Sequence, residues 1–268
     1  MARVVSGVVL AAVFFALIWF TNATVLLIVA LAVGALAVHE YVQLFRALGA
    51  HVPAMPTMLA TWAATTVVPF PSVALEAVLS IAFVVIAVWV MSGVSPQPGK
   101  GFAEAARGAS AAALAPMYIG LGLGSLVGIH VYGGRGAVLL LMATIIVSDT
   151  AQYYAGRTFG KHPLAQQLSP KKTVEGALGG LVLAPLFIAF AGYYLVPAAT
   201  NQLALAGVGV GLVMAGIAGD LFESTLKRAA GVKDSSALIP GHGGVLDRID
   251  ALLFAAPLFY LYLRNLFS

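Results

Sequence analysis

Apolar stretches close to 20 residues long recur along the whole chain, and they constrain its fold more than any other feature. A helix of about 20 apolar residues crosses a hydrocarbon core of about 30 Å. Only 9% of the residues are charged, against about 25% in a soluble domain. The sequence therefore predicts an all-α, polytopic membrane helix bundle.

Breaks at Gly, Pro and charged residues divide these stretches into nine candidate helices. They span 4–20, 23–45, 56–70, 73–92, 105–130, 136–158, 176–197, 202–228 and 251–267. The first resembles a signal peptide in length but lacks a small-residue cleavage pattern, so we expect a retained helix. We expect the N-terminal helices, 1–135, to shape a lipid cavity or a dimer face, and the helices of 136–268 to be catalytic.

The Lys and Arg residues predict the orientation of the chain. With the N-terminus in the cytoplasm, twelve of the 14 fall in cytoplasmic segments, and only Arg135 and Arg264 lie outside. Such an excess of basic residues is typical of cytoplasmic loops. The polar segments 157–175 and 229–250 then face the cytoplasm, where nucleotides are. The chain has no Cys, which excludes disulfides and thiol catalysis.

Charged residues concentrate between positions 220 and 250, where nine of the chain's 24 occur. At 100° per residue, one face of the helix 202–228 carries four polar residues: Asp220, Glu223, Ser224 and Lys227. A carboxylate inside a membrane costs at least about 2.5 kcal/mol and therefore indicates function. The alternative is that Glu223 and Lys227, spaced i, i+4, only neutralise each other near the interface.

A second polar region begins at Asp149, which also lies in an apolar run and could instead be a structural hydrogen-bonding residue. The following loop reads SPKKTVEG and places Lys171 and Lys172 beside a helix that begins near Thr173. Cations next to a helix N-terminus form an anion site. The alternative is a basic anchor that contacts lipid head groups.

The segment GHGGVLDRID precedes the last helix. Gly243 and Gly244 allow a sharp turn and a close approach to a ligand. Asp247 and Asp250 lie on one side of the helix, and carboxylate oxygens suit a hard cation such as Mg²⁺. One histidine, His242, without Cys argues against zinc, and we expect it to have a phosphate or loop role. Together these groups predict phosphoryl or nucleotidyl transfer involving a lipid.

The stretch Ser224–Asp250 resembles the signature of the phosphatidate cytidylyltransferases, or CDP-diacylglycerol synthases. That signature reads S-x-aliphatic-K-R-x4-K-D-x-small-x2-aliphatic-P-x-H-G-G-aliphatic-x-D-R-aliphatic-D, and all 27 positions agree. SDTAQYYAGRTFGKH and SPKKTVEG are similar to a second region of the family. The resemblance covers residues 144–268, and the N-terminal half is similar only in hydropathy and length.

The resemblance implies the condensation of CTP with phosphatidate to give CDP-diacylglycerol and pyrophosphate. It also implies Mg²⁺, with one or two ions left open, and a homodimer in the cell inner membrane with no nucleic-acid partner. The implied catalytic residues are Asp220, Lys227, Arg228, Asp247 and Asp250. The implied substrate-binding residues are Lys171, Lys172, Ser224, Lys233, His242, Gly243, Gly244 and Arg248. The implied metal ligands are Asp220 and Asp247 first, then Asp250 and Asp149.

Other functions would require different motifs or different placements of the carboxylates. An archaeol-type cytidylyltransferase or a polyprenol kinase would also use CTP and a lipid. A CDP-alcohol phosphotransferase would need an Asp-Gly-x2-Ala-Arg motif, and an intramembrane aspartyl protease a Gly-x-Gly-Asp motif; the chain has neither. An ion-coupled transporter would use carboxylates near the membrane midplane, whereas Asp149 and Asp220 are predicted near cytoplasmic helix ends.

Overall fold

The computed structural model describes residues 16, 19, 20, 22–70, 73–93, 100–239 and 243–267. Most of this part of the chain is helical. The helices are α1 (Ala23–Ala47), α2 (Ala54–Val67), α3 (Leu75–Ser92), α4 (Lys100–Ala115), α5 (Leu121–Phe159), α6 (Val174–Leu195), α7 (Gln202–Ala229) and α8 (Leu246–Phe267). A π-helical turn, Pro116–Gly120, joins α4 to α5. The predicted helix 4–20 lies outside the described residues except at three positions.

Two short strands form an antiparallel hairpin between α5 and α6, in the segment predicted to be a polar loop. They are β1 (Pro163–Ala165) and β2 (Ser169–Thr173), with Pro163 opposite Thr173. The hairpin projects from the end of α5 and leads directly into the first turn of α6. It therefore places the two lysines of β2 beside a helix N-terminus.

Several helices are long and apolar enough to cross a membrane. Within the described residues there are five such stretches: Ala23–Ala47, Leu75–Ser92, Gly101–Phe159, Val174–Leu195 and Gln202–Ala229. The prediction of a helical, multi-pass membrane protein is confirmed at this level. The count of nine spans and the cytoplasmic N-terminus stay predictions.

Gly134 divides the long helix α5 into two halves. Its backbone has φ +68° and ψ −171°, a conformation that is essentially restricted to glycine. The break falls between the predicted helices 105–130 and 136–158. The chain therefore separates these two helices where the sequence indicated.

The buried core has two parts, and α8 contributes to both. One part lies around α1, the π-helical turn and the first half of α5, and it includes Tyr41 and Ile119. The other lies among the second half of α5, α6 and α7, and it includes Leu140 and Ile188. Because α8 packs in both, it fixes the C-terminal helices against the N-terminal ones.

Candidate active site

A cleft of about 330 Å³ lies where the second half of α5, β2, and helices α6, α7 and α8 meet. Its lining comprises Asp149, Gln152, Tyr153, Ser169, Lys171, Lys172, Thr173, Gly176, Ala177, Gly216, Asp220, Asp250 and Ala251. Five of these are residues that the sequence singled out. The fold thus brings three predicted carboxylates and two predicted lysines, from four separate segments, into one cavity.

An ion pair crosses this cleft between Lys172 of β2 and Asp220 of α7. The Lys172 side chain is 27% exposed and that of Asp220 is 33% exposed, so solvent and ligands reach both. Successive side chains of a strand alternate in direction, and Lys171 is the more exposed of the two lysines. The cleft therefore has one lysine held by a carboxylate and a second open to water.

The first turn of α6 is fixed by two side chains. Thr173 is the N-cap, and its hydroxyl accepts a hydrogen bond of 3.1 Å from Gly176 N. The Glu175 carboxylate accepts from the backbone N–H groups of Lys161 and His162, and His162 Nδ1 lies 2.6 Å from it. The predicted helix start at Thr173 is thereby confirmed, and the hairpin is tied to it.

A second polar cluster lies where α7 meets the start of α8. Lys227 Nζ donates to Glu223 Oε2 at 2.6 Å and to Asp247 Oδ1 at 2.5 Å. The Glu223 side chain is fully buried, and that of Asp247 is 5% exposed. The expected contact between Glu223 and Lys227 is present. Because Lys227 also binds Asp247, the contact belongs to a three-residue cluster, and Glu223 and Lys227 do not form an isolated i, i+4 pair.

Asp247 is saturated with hydrogen-bond donors. Its Oδ2 accepts from Ser235 N and Gly244 N, each at 2.8 Å, and lies 2.8 Å from Ser235 Oγ. Burial raises the pKa of Asp247, but the Lys227 ammonium and these donors outweigh burial and hold it below its ordinary value. The described lining of the cleft does not include Asp247. Its assignment as a metal ligand stays a prediction, and the structure places it with Lys227 instead.

Glu40 of α1 is a residue of this region that the sequence reasoning missed. Its carboxylate is 3% exposed and accepts four hydrogen bonds from the segment that leads into α8. The donors are the Ser235 and Ser236 hydroxyls and the Val245 and Leu246 N–H groups. A signal was present in the sequence, because Glu40 is a carboxylate inside an apolar run, as Asp149 and Asp220 are.

The remaining predicted basic residues lie at the surface near the end of α7 and the start of α8. Arg228, Lys233 and Arg248 are exposed. The Arg228 guanidinium donates to the carbonyl oxygens of Leu168, at 3.5 Å, and Val232, at 3.4 Å. Arg228 thus links α7 to the turn of the hairpin. His242 lies outside the described residues.

The cleft carboxylates suit a hard cation. Asp149, Asp220 and Asp250 offer only oxygen, the donor that Mg²⁺ prefers. Among the described residues, no three His, Cys, Asp or Glu side chains are grouped as a preformed metal site. Mg²⁺ commonly takes one or two carboxylates together with substrate phosphates and water. The donors therefore fit a metal that shares its coordination with a bound nucleotide.

Fold and cleft together define a helical membrane protein with acidic and basic groups gathered at one site. Over residues 1–266, the chain matches the sequence profile of the Cytidylyltransferase family. The chain belongs to this family, which confirms the relationship expected from the Ser224–Asp250 stretch.

Named relatives extend over different shares of the chain. The phosphatidate cytidylyltransferase of Mycobacterium bovis is 32% identical over 266 residues, which is 95% of this chain and 85% of the relative. That of Haemophilus influenzae is 49% identical over 135 residues, 48% of this chain and 46% of the relative. The uncharacterized protein YnbB of Escherichia coli is 42% identical over 135 residues, 50% of this chain and 45% of the relative. The chain thus aligns with slightly less than half the length of these last two relatives.

Proposed function

We propose that the protein condenses CTP with phosphatidate, giving CDP-diacylglycerol and pyrophosphate for phospholipid biosynthesis. The observation that carries this proposal is the match to the M. bovis phosphatidate cytidylyltransferase over 95% of the chain. The cleft supports the same chemistry, because it combines carboxylates for a divalent cation with lysines for phosphate groups. The membrane helices supply the setting for a lipid substrate.

The reaction is an in-line displacement at phosphorus. An oxygen of the phosphatidate phosphomonoester attacks the α-phosphorus of CTP, and the bond from that phosphorus to the β-phosphate oxygen breaks. Pyrophosphate leaves with the electron pair of that bond. A phosphomonoester with a second pKa of about 6 is mostly dianionic at pH 7, so no strong side-chain base is needed. The protein positions two anionic substrates and balances their charge.

The proposed role of each residue follows from its position in or near the cleft. Asp149, Asp220 and Asp250 would hold Mg²⁺, which when bound neutralises charge on the triphosphate. Lys171 and Lys172, beside the N-terminus of α6, bind phosphate oxygens. Further substrate contacts come from Ser224, Lys227, Arg228, Lys233, His242, Gly243, Gly244 and Arg248. Asp247 keeps Lys227 in place, and to serve as a further metal ligand, as predicted, it would exchange one of its hydrogen-bond donors for the cation.

The proposal extends to topology and assembly. We place the N-terminus and the cleft on the cytoplasmic side of the cell inner membrane, with nine spans, because twelve of the 14 Lys and Arg residues then lie inside. CTP is available on that side. A homodimer, and a division into N-terminal helices (1–135) and catalytic helices (136–268), belong to the same proposal.

A nucleotide panel tests the proposed reaction. The purified protein in detergent is given phosphatidate, Mg²⁺ and CTP, ATP, GTP or UTP, and the nucleotide-linked lipid and pyrophosphate are measured. We expect both products with CTP, loss of activity with EDTA and recovery on adding Mg²⁺. Absence of a nucleotide-linked lipid with every nucleotide, from protein that elutes as a single folded species, would refute the function.

Two variants test the cleft separately. Asp220→Asn and Asp250→Asn each remove a carboxylate from the cleft, and we expect each to lower kcat/KM by about 100-fold. Glu104→Gln is the matched control, because Glu104 is an exposed carboxylate of α4 away from the cleft. If both cleft variants are as active as the control, the proposed reaction stands, but the cleft is not its active site.

A further inference from the structure

Glu40 is a buried carboxylate whose charge is balanced by hydrogen-bond donors. Among the described residues it forms no ion pair with Lys, Arg or His. Each of its oxygens instead accepts from one serine hydroxyl and one backbone N–H. Oε1 accepts from Ser236 Oγ at 2.7 Å and Val245 N at 2.9 Å, and Oε2 from Ser235 Oγ and Leu246 N, both at 2.8 Å. Such a carboxylate fixes the segments that supply its donors.

Ser235 continues this contact toward the proposed catalytic residues. Its hydroxyl oxygen lies 2.8 Å from Glu40 Oε2 and also 2.8 Å from Asp247 Oδ2, so the two carboxyl groups share its single proton. Asp247 holds Lys227 through its other oxygen. A continuous polar chain therefore runs from α1, through Ser235, to the Lys227 ammonium on α7.

The backbone beside Glu40 has room only for glycine. A Cβ atom at Gly244 would overlap Ser235 Oγ and both Glu40 carboxylate oxygens. Gly244 N also donates to Asp247 Oδ2. The close approach of Gly244 is therefore part of the same arrangement, and it leaves no space for the segment to shift toward α1.

We propose that Glu40 is a positioning residue for cytidylyl transfer, acting through Ser235 and Asp247 to fix the Lys227 ammonium. The inference rests on the proposed function for its effect on catalysis. It assigns a role in the reaction to a residue of the N-terminal helices. Glu40 touches no reacting group and acts only through the side chains that it holds.

A carboxylate is required at this position because each of its oxygens faces a backbone N–H, which can only donate. Glutamine has the same size, but its NH₂ group accepts nothing. Whichever way the amide of a Glu40→Gln variant turns, its nitrogen faces the N–H of either Val245 or Leu246. We expect Glu40→Gln to lower kcat/KM by about 10–100-fold, the range typical when a partner of a functional residue is removed.

Two neighbouring serines offer a matched pair that separates positioning from simple stabilisation. Ser235 and Ser236 both donate to Glu40, but of the two only Ser235 has a described contact with Asp247. We expect Ser235→Ala to lower kcat/KM by about 10-fold and Ser236→Ala by less than about 2-fold, with similar losses of thermal stability. Equal kinetic effects of the two substitutions would overturn the positioning role.

A double-mutant cycle gives the second readout. If Glu40 acts through Ser235, the kcat/KM of the variant with both Glu40→Gln and Ser235→Ala equals that of Glu40→Gln alone, within about 2-fold. A double variant whose kcat/KM falls by the product of the two single losses would contradict the proposal. Tyr41→Phe is the control, because it removes a buried 2.9 Å hydrogen bond to Ala111 O from the same helix, outside this chain of contacts. We expect it to leave kcat/KM within about 2-fold of the wild type.

Amide hydrogen exchange keeps the test independent of the reaction. We expect the Val245 and Leu246 amides to exchange faster in Glu40→Gln than in Tyr41→Phe. If the wild type makes no nucleotide-linked lipid, the proposed function fails, and this comparison alone decides whether Glu40 anchors the segment. Equal exchange in the two variants refutes the anchoring. Where Glu40→Gln cannot be purified, the Ser235 and Ser236 comparison decides.

Discussion

The carboxylates of this protein fall into two groups, according to whether protein hydrogen-bond donors or the open cleft surround their oxygens. Glu40 and Asp247 have protein donors on both oxygens. Asp149, Asp220 and Asp250 instead line the cleft. Saturated carboxylates have little capacity left for a cation, whereas those in the cleft are exposed to ligands. The local hydrogen bonding thus separates residues that maintain the site from residues that meet the substrate.

Lys227 makes a testable contribution to stability. Lys227→Met leaves Glu223 and Asp247 buried without their shared cation, and we expect a loss of about 3–5 kcal/mol in the free energy of unfolding. Thermal and denaturant unfolding in detergent would measure it. Lys233→Met is the control, since Lys233 is exposed, and its effect should stay within about 0.5 kcal/mol. An equal effect of the two substitutions would contradict the cluster's structural role.

The sequence predicted the residues of the cleft better than the pairing among them. Carboxylates in apolar runs and paired lysines marked Asp149, Asp220, Lys171 and Lys172, and the fold brings all four together. Glu40 is also a carboxylate in an apolar run, but its partners lie about 200 positions downstream, and no local pattern encodes a contact of that range. Which carboxylate meets which donor depends on helix packing.

At the scale of helices, two glycines of α7 that are two positions apart have opposite surroundings. A Cβ at Gly209 would lie 2.6 Å from Ile188 Cγ2 and 2.7 Å from Pro185 Cα, whereas a Cβ at Gly207 meets nothing within 4 Å. Gly209 thus allows α6 and α7 to pack closely at this point. The same substitution should therefore have opposite effects at the two positions.

We expect Gly209→Ala to destabilise the protein by about 1–3 kcal/mol, because it forces α7 away from α6. Gly207→Ala should stabilise it by about 0.4–1 kcal/mol, because alanine lowers the conformational entropy of the unfolded chain. Thermal unfolding of both variants in one detergent measures the difference. Destabilisation of similar size at both positions would show that the α6–α7 contact is not as close as the structure has it.

Hydropathy located the helices within a few residues but not the irregular elements between them. The β1–β2 hairpin was predicted to be a loop, because strands of three and five residues are too short for a periodic pattern. The π-helical turn at Pro116–Gly120 falls inside the predicted helix 105–130. Pro116 was the available signal, since proline lacks the N–H of a regular helical hydrogen bond.

At the scale of the whole molecule, the absence of cysteine makes the predicted topology directly testable. Gln166→Cys, in the hairpin turn, should react with an impermeant maleimide only after the cytoplasmic face is opened. Thr200→Cys, between α6 and α7, should react in intact cells. Both native side chains are exposed, so access depends on the side of the membrane. The reverse labelling pattern would show that the chain has the opposite orientation and that the cleft lies on the membrane face away from CTP.

The contacts of Glu40 also bear on how the protein is made. α1 leaves the ribosome before α8, and the Leu246 amide, which donates to the Glu40 carboxylate of α1, follows 206 residues later. At about 5–20 residues per second, this interval lasts about 10–40 s. A charged group without partners is unfavourable in hydrocarbon throughout that time. We therefore expect α1 to settle into its final place only after α8 has been synthesised, so that the first and last helices of the described chain complete their insertion together.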